Sequence, residues 1–205
     1  MRDLDRALAD IGAIRAQLAR ETMFRGYGPA TLAVTGLLGL AMAAAQGGWL
    51  DDPTNRPGVY FALWIATAAT AVALVAVETV TRSRRLHSSL ADELIYNAVQ
   101  QFLPSAIAGL LLYLVLTHYE PRSLWMLPGL WQVLVSLGIF SASRSLPGAV
   151  AIVAVWYLFC GLAGLAIASD GHQLSPWAMG LPFGLGQLLF AAILHLSLGG
   201  ADAEN

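Results

Sequence analysis

RSRRLHSSLADELIYNAVQQFLPS, residues Arg82 to Ser105, joins two long apolar runs and decides how the rest of the chain is read. It opens with three arginines, Arg82, Arg84 and Arg85, which sit poorly in hydrocarbon. It then enters a third apolar run carrying Glu93, Asn97, Gln100 and Gln101 at helical spacing. Glu93, Asn97 and Gln101 are each four residues apart and therefore share one helical face, with Gln100 beside them. A charged joint between apolar runs is the pattern of a chain that crosses a bilayer, turns in water and crosses back.

Composition agrees. Of 205 residues, 57% are hydrophobic and 12% charged, against about 45–50% and about 25% in ordinary soluble domains. Six apolar segments, near 29–46, 59–79, 95–117, 124–141, 148–168 and 177–197, are each long enough at about 1.5 Å per residue to cross about 30 Å of hydrocarbon. The expected fold is all-α: a polytopic transmembrane helical bundle of six spans over residues 29–198, preceded by a cytoplasmic or interfacial segment, 1–28, and followed by a short cytoplasmic tail, 199–205.

Arginine sets the expected orientation, since the chain has no lysine. Arg2, Arg6, Arg15, Arg20 and Arg25 precede the first span, Arg82, Arg84 and Arg85 follow the second, and Arg144 follows the fourth. Only Arg56 and Arg122 fall on the other face. The positive-inside bias makes the arginine-rich face cytoplasmic and, with six spans, puts both termini there. Trp49, Tyr119, Trp125 and Trp177 fall near the opposite ends, as in an interfacial aromatic belt.

Residues 2–22 read as an amphipathic helix, with Leu4, Leu8, Ile11, Ile14 and Leu18 on one face. Its arginines are balanced by Asp3, Asp5, Asp10 and Glu21, so charge alone does not make it a lipid anchor. With Arg6, Arg15 and Arg20 it forms, together with Arg82, Arg84 and Arg85, a candidate docking face for a protein partner. Ala43-Ala44-Ala45 looks like a signal-peptidase site, but 28 residues precede the first apolar run, so that run reads as an uncleaved anchor. Asp51 and Asp52 read as a solvated turn. Glu78 reads as a partner for Arg82 at the end of the second span.

Amides in hydrocarbon must face protein or water. Glu93, Asn97, Gln100 and Gln101 are thus read either as interhelical hydrogen-bonding groups or, with Gln132 and Gln187, as the candidate intramembrane polar site of a transporter. Packing is favoured, because Leu110, Leu114 and Leu116 continue the third span without a charge. Pro104, Pro128 and Pro182 interrupt three spans, each freeing a backbone carbonyl. Ala62, Ala66 and Thr70, and Gly180 and Gly184, are small residues four apart, which predicts close helix contact within the bundle or between copies in a homo-oligomer.

His118 and His172 fall near one face, His87 and His195 near the other. Haem ligands sit inside helices around the macrocycle, whereas His87 and His172 read as loop residues, so a b-haem redox subunit is the weakest reading and no cofactor is expected. Cys160 is the single cysteine and lies within the fifth span. HExxH, GxSxG, Walker and dinucleotide signatures are absent, and no basic patch with interleaved aromatics suits nucleic acid.

Ile14-Arg15, Arg20-Glu21-Thr22-Met23-Phe24-Arg25 leading into a Gly-rich first span, and Leu127-Pro128-Gly129-Leu130-Trp131 resemble a group of bacterial integral membrane proteins with no activity attached. The resemblance would span nearly the whole chain. It implies a bacterial inner-membrane setting and a six-helix bundle, and carries over no catalytic residue. The polar Asn97 to Gln101 stretch departs from it. The functional expectation is an interaction, regulatory or accessory subunit in the lipid bilayer, the alternative a small solute or proton-coupled transporter.

Overall fold

A computed structural model describes residues 28–86, 89–143 and 148–203, without the side chains of 82–86, 89–99, 101 and 198–203. The expected helix over 2–22 with Arg6, Arg15 and Arg20, the resembling segment 14–25, and the side chains of Arg82, Arg84, Arg85, Glu93, Asn97 and Gln101 lie outside the described residues. Among those described, regular structure is helical throughout: α1 Pro29–Trp49, α2 Pro57–Leu86, α3 Ser89–Tyr119, α4 Leu127–Ala142, α5 Ala151–Ala168 and α6 Pro176–Ala203, with short 3-10 turns at Pro121–Met126 and Gly148–Val150. Six stretches are long and apolar enough to cross a membrane: Pro29–Trp49, Pro57–Thr81, Phe102–Tyr119, Pro121–Ala142, Gly148–Ala168 and Pro176–Ser197. In hydrocarbon such helices satisfy their own backbone, which is why this composition selects them.

Proline starts several of these helices. Pro29, Pro57 and Pro176 are first residues and Pro128 is the second residue of α4, positions where the missing N–H has no ladder partner to lose. Between α1 and α2, Asp52 closes the turn: its Oδ1 accepts from the Thr54 N–H at 2.9 Å and the Asn55 N–H at 3.3 Å. Three loops then meet at one end. The Leu174 N–H donates to Thr54 Oγ1 at 3.1 Å, the Tyr60 hydroxyl donates to the Ser175 carbonyl at 2.9 Å, and His172 lies 4.6 Å from Trp125 between ring centroids. The opposite end carries the Arg82 to Arg85 connection.

Glycines bring the helices together in pairs. A Cβ on Gly36 of α1 would stand 2.8 Å from the Gly184 carbonyl of α6, and one on Gly184 would stand 3.1 Å from the Gly36 carbonyl. Gly129 of α4 and Gly161 of α5 meet reciprocally, each hypothetical Cβ 2.7 Å from the other's carbonyl oxygen. α3 lies against α4, where Phe102 covers Gly138 and the Trp131 indole donates to the Gly109 carbonyl at 3.0 Å. α2 packs on α1 and reaches α3 and α4 through Phe61, whose ring lies 5.6 Å from both Tyr113 and Trp131.

The Gly180 and Gly184 spacing therefore serves packing inside one chain. The Ala62, Ala66 and Thr70 stripe does not: all three residues are exposed, because α2 turns Tyr60, Phe61, Trp64, Thr67 and Ala71 toward its neighbours instead. The Glu78 carboxylate lies against Gly28, the residue capping α1, where the helix dipole supplies partial positive charge; the side chain of Arg82, its expected partner, lies outside the described residues.

Among the described residues the third apolar stretch covers Phe102–Tyr119; the side chains of 89–99 and 101 lie outside them. α3 is 31 residues long, about 46 Å at 1.5 Å per residue, and so outruns about 30 Å of hydrocarbon by roughly a half. Tyr119 is followed at once by Pro121 in the loop cluster, so the excess lies at the Ser89 end.

Candidate functional site

The polar groups of the interior converge on the break in α6. Pro182 has no N–H, so the carbonyl four residues earlier, Ala178, loses its helical donor. Gln132 of α4 supplies the replacement: its Nε2 donates to Ala178 O at 2.6 Å. One turn further, the α5 indole adds a bond to the same helix, Trp156 Nε1 donating to the Pro182 carbonyl at 3.0 Å. Tyr157 follows, its hydroxyl 3.4 Å from the Phe183 carbonyl and its side chain beside Gln187. Gly186 makes room for that ring, since a Cβ there would stand 2.6 Å from Tyr157 Cζ.

Donors are thus matched to backbone carbonyls, and acceptors are left over. Gln132 Oε1, Ser136 Oγ and Gln187 Oε1 are buried without a hydrogen-bond partner among the described residues. Nearer the loop end, Gln46 of α1 donates through Nε2 to the Tyr60 carbonyl at 3.2 Å, while its Oε1 and the Trp64 indole N–H are likewise buried and unpartnered.

Of the six residues expected to form an intramembrane polar site, Gln132 and Gln187 enter this region together, on the α4, α5 and α6 side. Gln100 is exposed on α3. Glu93, Asn97 and Gln101 belong to α3, and their side chains lie outside the described residues. α3 meets α4 through Trp131 and Gly138, whereas Gln132 points to α6. Gln46, Ser136, Trp156 and Tyr157 escaped the sequence reading. Pro182 signals a need for a donor at the Ala178 carbonyl alone, so it points to Gln132 and not to Trp156 or Tyr157.

Among the described residues no group of three or more histidine, cysteine, aspartate or glutamate side chains could hold a metal ion. His118 stacks edge-on against Tyr119 at 4.7 Å and His172 lies on Trp125, so each imidazole sits against an aromatic ring at the loop end. Comparison with protein-family models, with curated proteins and with solved structures finds no match.

Proposed function

We propose that this chain is a multi-pass protein of a bacterial inner membrane, a six-helix bundle with both termini cytoplasmic, that acts as an interaction, regulatory or accessory subunit. The observation that carries the reading is the length of α2 and α3. They are 30 and 31 residues long, about 45 Å each, beside α4 and α5 of 16 and 18 residues. The excess of both long helices falls at their shared connection, where Arg82, Arg84, Arg85, Glu93 and Asn97 stand in the sequence. A helical hairpin rising out of the apolar slab, charged and close to the start of α1, is suited to hold another protein. The amphipathic segment 2–22 completes that face.

The test is a mild-detergent purification of the tagged full-length protein from its native membrane, with co-purifying chains identified by mass spectrometry, against a variant lacking residues 2–22. A stoichiometric partner lost on deletion supports the reading. Undiminished association sinks it, and a clean monomer or homo-oligomer turns attention to the transporter alternative. In that case Asn97→Leu with Gln101→Leu would stop uptake while leaving the protein folded.

A further inference from the structure

His172 stands where glycine or asparagine usually stands. It follows α5, its N–H donates to the Ala168 carbonyl at 2.8 Å, and its φ of 50° is the one positive value of a non-glycine residue among those described. Helices commonly close on such a left-handed residue, and glycine takes that conformation most easily because it has no Cβ. Gly171 is adjacent, yet no described glycine has a positive φ. The chain turns instead on a residue with a ring.

That ring meets Trp125. The two are 4.6 Å apart between centroids and 31° from parallel, so the imidazole lies over the indole face. Trp125 belongs to the 3-10 turn Pro121–Met126 that leads into α4. The connection carrying His172 also gives the Leu174 N–H to Thr54 and accepts the Tyr60 hydroxyl at the Ser175 carbonyl. Of these three ties, the stack alone contains a group that titrates between about pH 5 and 8. His118 lies edge-on to Tyr119, its neighbour in the chain, and so joins no two segments.

The charged side chains of the surrounding segments are Asp170 on the same connection, Glu120 and Arg122 beside the Trp125 turn, and Asp51, Asp52 and Arg56 between α1 and α2. All are exposed, as is His172, and the Asp52 carboxylate is engaged by Thr54 and Asn55. Exposed charges act weakly on one another in salt. A ring in contact acts directly, and an imidazolium over an indole face is held by the quadrupole of the ring more strongly than a neutral imidazole.

We propose that His172 and Trp125 form an acid-tightened clasp at the loop end. Protonation of His172 strengthens the stack and fastens the connection between α5 and α6 to the turn that starts α4. Because the folded protein gives the charged ring a partner, the added stability is present at acid pH and is lost as pH rises through the imidazole range. The docking face proposed above lies at the opposite end, so either can fail without the other.

A double-mutant cycle run at about pH 5 and about pH 8 tests the clasp, with equilibrium unfolding of the full chain in mixed micelles. The four proteins are the natural chain, Trp125→Leu, His172→Asn and the double variant. Asparagine keeps the left-handed turn without a titrating ring, and the effects of all other titrating groups cancel from the cycle. Expressed as a ratio of unfolding constants, the coupling between residues 125 and 172 should be about two- to five-fold larger at the acid pH. Equal coupling at both pH values would make the stack plain packing, and no coupling would mean that the rings do not meet; either result overturns the clasp.

Discussion

The Ala178 carbonyl shows how single residues hold this chain together. Pro182 deprives it of a partner and Gln132 restores one at 2.6 Å, so the two residues are energetically one unit although 50 positions apart. Gln132→Leu should destabilise the protein by about 1 kcal/mol, within the range for interhelical bonds and orphaned buried acceptors. In a Pro182→Ala background, where residue 182 again offers an N–H, the same change should cost only about a few tenths. Equilibrium unfolding in mixed micelles measures both, and equal costs would separate the residues. Gly28 is a second unit. Gly28→Ala drives a methyl into the Glu78 carboxylate and should cost about 1 kcal/mol. Adding Glu78→Ala should recover most of the loss on thermal unfolding, and a purely additive pair would show that the two do not touch.

Glycines act at the scale of whole helices, and α5 offers a comparison within three residues. Gly161 faces the α4 backbone, with the Gly129 carbonyl 2.7 Å and the Val133 nitrogen 3.1 Å from a Cβ built on it, whereas Gly164 meets nothing within 4 Å. Gly161→Ala should therefore cost about 1–3 kcal/mol by forcing the helices apart. Gly164→Ala should be neutral or gain up to about 1 kcal/mol from helix propensity. The same unfolding measurement decides, and equal effects would mean that α4 and α5 do not cross at Gly129. This contrast was not legible in the sequence. In lipid both faces of a helix are apolar, so periodicity does not mark the packed side, and small residues occur on both. The Gly180 and Gly184 pair meets α1, whereas the equally regular Ala62, Ala66 and Thr70 stripe faces outward. The aromatic residues Phe61 and Trp64, which decide the inward face of α2, were not weighed against it.

Across the whole molecule, the six long apolar helices were the most legible feature, because hydrocarbon demands about 20 apolar residues per crossing and little else in a sequence imitates that. Gln132 answers the Ala178 carbonyl that Pro182 frees, a match between helices distant in sequence that no pattern of polar spacing marks.

Everything at this scale rests on which side of the membrane the connection between α2 and α3 occupies, and on its standing in water. Ser83→Cys keeps every arginine, and Cys160→Ala removes the single native thiol. Asp51→Cys, an exposed position at the loop end, marks the opposite face in a parallel variant. In intact cells a membrane-impermeant maleimide should label Cys at 51 and not at 83, and after permeabilisation it should label both at similar rates. Labelling at 83 in intact cells would invert the topology, and no labelling at 83 even after permeabilisation would place the hairpin within lipid or protein and remove the basis of the docking face.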